Sequence, residues 1–217
     1  MVIYEGMTAL DLVGPQLMLA SLMDVEVHLV AKTAAPVTCD TGFGIVPTTT
    51  FDQCPRDLEV LFVPGGTDGT LAAIADAPTI EFLTSRGATA RWITSVCTGA
   101  LVLGAAGLLR GYRATTHWIA RDLLSDVGAT PVDERVVTDR NRMTGAGVSA
   151  GLDLGLTLAI ALRGDDYARA IALNAEYAPA PPVHAGTTAA AGPEATKMLR
   201  DMYAPFLAAA RSALLRV

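Results

Sequence analysis

The spacing of apolar and polar residues changes several times along the chain, and each change marks an element. Met1 to Tyr4 reads as the end of a strand. Thr8 to Met23 carries apolar residues at helical spacing, with Gly14-Pro15 expected to break that helix near its start. "VEVHLVAK", Val25 to Lys32, alternates as a strand does, and "PVTCDTGFGIVPTTTF" reads as a β excursion with turns at Gly42 and Gly44. "LEVLFVPGG", Leu58 to Gly66, is a continuous apolar run closed by Pro-Gly-Gly, the pattern of a strand buried on both faces that feeds a loop. Ala77 to Ala88 follows as a helix begun by Pro78.

"TARWITSV" is a second buried strand, followed at once by Cys97 and a helical run from Thr98 to Leu109 that ends near Gly107 and Gly111. His117 to Val127 is helical. "TPVDERVVTDRNRMTG" alternates as a hairpin with its turn at Asp139 to Asn141. Val148 to Arg163, Asp165 to Glu176 and Glu194 to Leu215 are helical, the last two flanking the Pro-rich "YAPAPPVHAG". No repeat or low-complexity block divides the chain, so residues 1–217 are expected to form one domain. Strands alternating with helices give an α/β class with helices on both faces of a mostly parallel sheet.

Composition narrows the function. Of 217 residues, 51% are hydrophobic and 18% charged, which argues for a packed core and against disorder. No apolar run is long enough to span a bilayer without Gly, Pro or a charge within it. A formal net charge of -6, with no local block of Lys or Arg, opposes binding to nucleic acid. The first residues, "MVIYEGMTALDLVGP", lack a basic leader and a cleavage motif, so a cytoplasmic protein is expected. The three cysteines, Cys39, Cys54 and Cys97, are widely spaced and read as free thiols; no His, Cys and Asp cluster has metal-ligand spacing.

Cys97 is the candidate for chemistry, because it stands between a buried strand and a helix beginning at Thr98. Ligands bind at the carboxyl ends of strands in such sheets, and the helix N-terminus should favour thiolate and depress the thiol pKa. The strand–turn–helix setting is like the nucleophile elbow of hydrolases, although Ser95 stands where that motif has its first glycine. The bland alternative is a small buried filler. Cys39 and Cys54 lack that setting and are taken as structural.

Asp11, in "DLVGP", offers a carboxyl group after the first strand. It is either the N-cap of the following helix or, if it meets Cys97, a carboxylic acid with a raised pKa that can donate a proton. Gly65, Gly66 and Thr67 end another strand at the same edge, where glycine amides can approach a substrate closely; a plain tight turn has the same sequence. Thr98 can place a hydroxyl at the site or only cap its helix. His117, in "RATTHW", is the histidine best placed to pair with Cys97, or it satisfies local hydrogen bonds; His28 and His184 have no assigned role.

"DLVGP", "VPGGT", "SVCTGALVLGAAGLL", "RATTHW", "ERVV", "TGAGVSAGLDL" and "EYAPAPP", in that order over nearly the whole chain, closely resemble the isonitrile hydratases (isocyanide hydratases) of the ThiJ/PfpI superfamily. The resemblance implies a flavodoxin-like, class I glutamine amidotransferase-like three-layer sandwich. It also implies a homodimer with sites near the interface, no metal or organic cofactor, and hydration of an isonitrile to an N-substituted formamide. Carried over by position, Cys97 is the nucleophile, Asp11 its acid/base partner and Thr98 the residue beside it. The amides of Gly66 and Thr98 are then site donors, and Val148 lies near the thiol at a helix start. Superfamily proteases and chaperones have histidine after the cysteine where this chain has Thr98, which counts against peptidase activity. The first strand begins later than in the resembled enzymes, so its edge is expected to be trimmed or less well paired. A glyoxalase or deglycase acting on small aldehydes is the alternative enzyme class, though that branch carries Glu in place of Asp11. Ligand sensing ranks last, because related transcription regulators continue into a helix-turn-helix region after the point where "MYAPFLAAARSALLRV" ends this chain.

Overall fold

The computed structural model describes residues 1–216. Along the chain come α1 (Ala9–Ala20), the short strand β1 (Val30–Ala31), a hairpin of β2 (Val37–Thr38) and β3 (Gly44–Ile45), then β4 (Thr49–Thr50) and β5 (Val60–Val63). Helices α2 (Asp68–Ala75) and α3 (Ala77–Gly87) lead to β6 (Trp92–Val96) and α4 (Gly99–Ala105). The rest is β7 (Arg113–Ala114), a 3-10 helix (Trp118–Val127), β8 (Thr130–Pro131), β9 (Val136–Asp139), β10 (Arg142–Gly145), α5 (Ala150–Arg163), α6 (Asp165–Asn174) and α7 (Thr188–Leu214).

The central sheet runs β5-β6-β10-β9, parallel except for β9, which pairs antiparallel with β10 through the expected hairpin. Residues 1–3 extend it: Val2 donates to the Phe62 carbonyl (2.9 Å) and Ile3 to the Val30 carbonyl (2.9 Å), linking β5 to the parallel pair β1-β4. Side chains along β5 alternate faces, as the pleat requires. Leu61 and Val63 enter a core with α2, α3, α4 and α7, while Phe62 enters a second core with α1, α5 and α6. This is the expected three-layer α/β arrangement, and both faces of the parallel strands are covered.

Several elements differ from the sequence reading. Gly14-Pro15 does not break α1: Pro15 lies inside a continuous helix. Proline removes one hydrogen bond, to the carbonyl four residues back, which is Asp11. Packing on α5 offsets that loss, because a side chain on Gly151 or Gly155 would collide with Pro15 or Met18. The Val25 to Lys32 strand shrinks to Val30–Ala31, which pairs with Val2 on one side and β4 on the other. Gly44 lies in β3 and the turn is made at Gly42 (φ 91°). The α2 helix has no counterpart in the reading. The long C-terminal helix starts earlier, at Thr188, but Gly192 (φ 82°, ψ 172°) divides it. Among the described residues no helix is long and apolar enough to cross a membrane.

The α1–α5 contact carries Asp11, so its tolerance is informative. Gly155→Val puts a branched side chain where even a Cβ would stand 2.7 Å from that of Met18. Overpacking of this kind costs about 1–3 kcal/mol. Thermal unfolding should show a Tm several degrees below the parent.

Candidate active site

Cys97 follows β6 directly, at the point where the chain turns from sheet into α4. Its φ is +56°, in the left-handed region that residues with a side chain avoid at a cost of about 1–2 kcal/mol. The turn is held on both sides. Its N–H donates to the carbonyls of Gly145 (3.1 Å) and Ala146 (2.7 Å) at the end of β10, and its own carbonyl accepts the Thr116 hydroxyl (2.6 Å). Gly99 must be glycine, since a Cβ there would overlap the carbonyl oxygens of Val63 and Pro64. This geometry aims a 6%-exposed thiol at the carboxyl edge of the sheet.

Asp11 stands in the first turn of α1 and is fully buried. It is not the N-cap, a position held by Thr8. Its Oδ2 instead accepts the Gly65 N–H across the sheet edge (2.9 Å). Gly65 is wedged between the two candidate groups: a Cβ there would lie 2.5 Å from the Thr98 nitrogen and 2.8 Å from Asp11 Oδ2. The other carboxyl oxygen, Oδ1, is buried and has no partner of good hydrogen-bond geometry. The Cys97 thiol stands near enough to the carboxyl for each group to shift the pKa of the other. The structure therefore brings Asp11 and Cys97 together from positions 86 apart in sequence.

Burial pushes the Asp11 pKa up to about 7, against the opposing pull of the Gly65 N–H and the thiol. The expected depression of the Cys97 pKa is corrected: burial first, and the Asp11 charge second, raise it well above 9. The Thr98 N–H at the start of α4 and the Thr98 hydroxyl do act to lower it, as the helix-terminus argument requires, but desolvation outweighs them. The resting pair thus keeps the thiol proton at neutral pH, with the carboxyl partly ionised. A buried carboxylate beside a buried thiol can take that proton, form the thiolate, and hold the proton for the next step.

Around the pair, hydroxyl groups fix the loops. Thr98 Oγ1 accepts the Gly66 N–H (2.9 Å) and donates to the Gly66 carbonyl (2.5 Å). The resemblance made the Gly66 amide a site donor, but its N–H is committed to holding Thr98. The Thr98 N–H remains directed at the sulfur. Thr70 Oγ1 lies 2.8 Å from Thr98 Oγ1 and 3.0 Å from the Gly66 carbonyl, and the Tyr4 hydroxyl donates to the Pro64 carbonyl (2.6 Å). Thr67 occupies the N-cap position of α2 at the rim of this loop, without a side-chain capping bond.

The structure does not bring His117 to Cys97 as a base. Its Nδ1 accepts the Ile119 N–H (3.4 Å) at the start of the 3-10 helix, and burial, then the Arg121 charge, lower its pKa. It lies against Gly147, which leads to Val148, and Val148 packs on the core that includes Cys97. Thr70, Thr116 and Tyr4 were missed by the sequence reading. Only Thr116 left a signal, its place in "RATTHW" at a strand end; Thr70 lies on the unforeseen α2.

The DJ-1/PfpI family model matches residues 1–161. The chain belongs to the DJ-1/PfpI family. Within it, the chain is 51% identical over 205 residues to an isonitrile hydratase of Pseudomonas putida, covering 94% of this chain and 89% of that one. A solved ThiJ/PfpI family protein from Pseudomonas syringae superposes with a TM-score of 0.97 at 53% identity, over 98% of this chain and 88% of that one. A glutathione-independent glyoxalase of Caenorhabditis elegans is 26% identical over 144 residues, 65% of this chain and 76% of its own length. The DJ-1/PfpI chain described here thus shares far more of its sequence with the hydratase than with the glyoxalase.

A raised pKa makes Asp11 a stability burden with a defined pH window. Its folded pKa, about 7, lies above the ordinary aspartate value of 3.8, so the cost is absent below about pH 4 and complete above pH 7. Each pH unit in that window is worth about 1.4 kcal/mol. Asp11→Asn keeps the acceptor for the Gly65 N–H and removes the charge. It should raise the Tm at pH 8 and leave it nearly unchanged at pH 4, as measured by calorimetry.

Proposed function

We propose that this chain is an isonitrile hydratase that converts an isonitrile to an N-substituted formamide through a covalent bond to Cys97. The observation that carries the reading is the buried Asp11–Cys97 pair in a chain half identical to such an enzyme over almost its full length. The terminal carbon of an isonitrile is weakly basic and also electrophilic, so it calls for an acid and a nucleophile at one atom. In the proposed route the Asp11 carboxylate takes the thiol proton. The sulfur then adds to the isonitrile carbon while Asp11 returns that proton to the same carbon, giving a thioimidate. Asp11, again ionised, draws a proton from water as the oxygen adds to the carbon, and the proton passes to nitrogen. Collapse of the adduct breaks the C–S bond, restores the thiol and releases the formamide.

The same proposal gives roles to the surrounding residues. Thr98 supplies its N–H to the sulfur, Gly65 and Gly66 hold Asp11 and Thr98 in register, and Thr67, His117 and Val148 are assigned to substrate binding. No step calls for a metal or organic cofactor. The chain is taken as a single domain working in the cytoplasm, with a small molecule rather than nucleic acid as its partner.

A homodimer is part of the same proposal. Leu10, Val13 and Leu17 recur at three- and four-residue spacing on the outer side of α1 and are each nearly half exposed, and Ile160 of α5 is similarly exposed. An apolar stripe of this kind on a helix face is suited to burial against a second copy. It lies on the helix that carries Asp11, so a dimer formed through it would set the site near the interface.

The test is turnover of an aryl and an alkyl isonitrile and of methylglyoxal, following formamide and lactate, with Cys97→Ser and Asp11→Asn alongside. Formamide alone is expected, with kcat reduced by at least about 1,000-fold in either variant. Lactate without formamide would support the glyoxalase class instead. Undiminished formamide production by both variants would remove the mechanism.

A further inference from the structure

Thr70, in the first turn of α2, is fully buried beside Thr98, yet no step of the hydration uses it. Its hydroxyl and that of Thr98 converge on one acceptor. Gly66 lies in the loop between β5 and α2, and its carbonyl takes no backbone N–H among the described residues. Two hydroxyls satisfy it instead, Thr98 Oγ1 at 2.5 Å and Thr70 Oγ1 at 3.0 Å. The two hydroxyl oxygens are themselves 2.8 Å apart, and Thr98 Oγ1 also accepts the Gly66 N–H at 2.9 Å.

Each hydroxyl carries one proton, so two protons serve three contacts, and the set has two complete arrangements. In the first, Thr98 donates to the Gly66 carbonyl and Thr70 donates to Thr98. In the second, Thr70 donates to the Gly66 carbonyl and the Thr98 proton is free to turn away. The carbonyl keeps a donor in both, as a buried acceptor requires. The Gly66 N–H holds Thr98 Oγ1 in place throughout, so the exchange is a rotation of two O–H bonds with the heavy atoms at rest. The sulfur is the acceptor within reach of the freed proton: Thr98 follows Cys97 directly, and its hydroxyl acts to lower the thiol pKa.

We propose that Thr70 is a positioning residue for the nucleophile: by taking over the Gly66 carbonyl, it releases the Thr98 hydroxyl to donate to the Cys97 thiolate once Asp11 has removed the thiol proton. Both hydroxyls keep their own protons, so the exchange adds no proton transfer to the route. Without the Thr70 hydroxyl, the Thr98 proton could reach the sulfur only by leaving a buried carbonyl unpaired. The inference rests on the reading of Cys97 as the nucleophile of an isonitrile hydratase. Asp11 and Tyr4 are the ionisable side chains coupled to Cys97 among the described residues, and a change at Thr70 leaves both in place.

The test follows two rates in the full chain: alkylation of Cys97 by iodoacetamide at pH 8, read from the mass of the Cys97 peptide, and turnover of an aryl isonitrile. Thr70→Val should slow both by about tenfold, the loss of turnover falling in kcat with KM unchanged, and Thr70→Ser should restore both. In a Thr98→Val background, Thr70→Val should slow neither further, because the hydroxyl that it releases is gone. Thr70→Ala carries the same expectations if Thr70→Val does not fold. Rates unchanged by Thr70→Val would overturn the proposal. So would an equal loss with and without the Thr98 hydroxyl, which would show that Thr70 only packs α2. The alkylation rates stand apart from the hydratase reading. A tenfold loss in a chain that makes no formamide would support the role of Thr70 while that reading fell, and unaltered alkylation in a chain that does make formamide would remove this proposal alone.

Discussion

Two acidic groups buried side by side cannot both carry charge, and the structure depends on how Asp11 and Cys97 settle that conflict. The carboxyl, raised to about 7, yields its proton first, and its negative charge then helps keep the proton on sulfur. The pair therefore works as a unit with one mobile proton near neutral pH, and neither group has an independent titration. The carboxylate of this unit is a base strong enough to take a thiol proton, yet its conjugate acid is strong enough to return it. An exposed aspartate, ionised down to the ordinary carboxylate range, would be a much weaker base.

Holding the two groups together requires concessions elsewhere. Cys97 accepts a left-handed backbone, fixed by carbonyls of β10 and by Thr116. Gly65 and Gly99 give up any side chain so that two loops and a helix start can close on one point. Pro15 leaves the Asp11 carbonyl without its helical donor, and α1 stays intact only because α5 packs closely along it through Gly151 and Gly155. Each concession weakens a local preference, and the two cores on either face of the sheet supply the burial that offsets them. The site is thus a place where stability is traded for a protonation state that water would not allow.

How much of this the sequence disclosed depends on which force decided each feature. β5, β6 and the β9–β10 hairpin were legible because buried strands and a tight turn have local signatures, and Cys97 stood out at the junction they define. The Gly14-Pro15 pair misled because propensity predicts a break while packing on α5, invisible in one sequence, overrides it. The Cys97 pKa was read in the wrong direction for a similar reason: the helix N-terminus can be seen in the sequence, but the desolvation that outweighs it comes from residues far apart in the chain. The Gly66 N–H is taken up by the hydroxyl of Thr98, 32 positions away, a pairing that only the fold creates. Thr70 and Tyr4 had no signal, since hydroxyl networks are assembled only by the fold.

Ultraviolet absorbance near 240 nm reports thiolate directly, and its pH titration in a Cys39→Ala/Cys54→Ala background, with Cys97→Ser as the blank, isolates the one sulfur that matters. The account predicts no thiolate step until well above pH 9, and a step moved to lower pH when Asp11→Asn removes the neighbouring charge. A step below pH 7 that Asp11→Asn leaves in place would show that the two groups do not share a proton, and would contradict the account at its base.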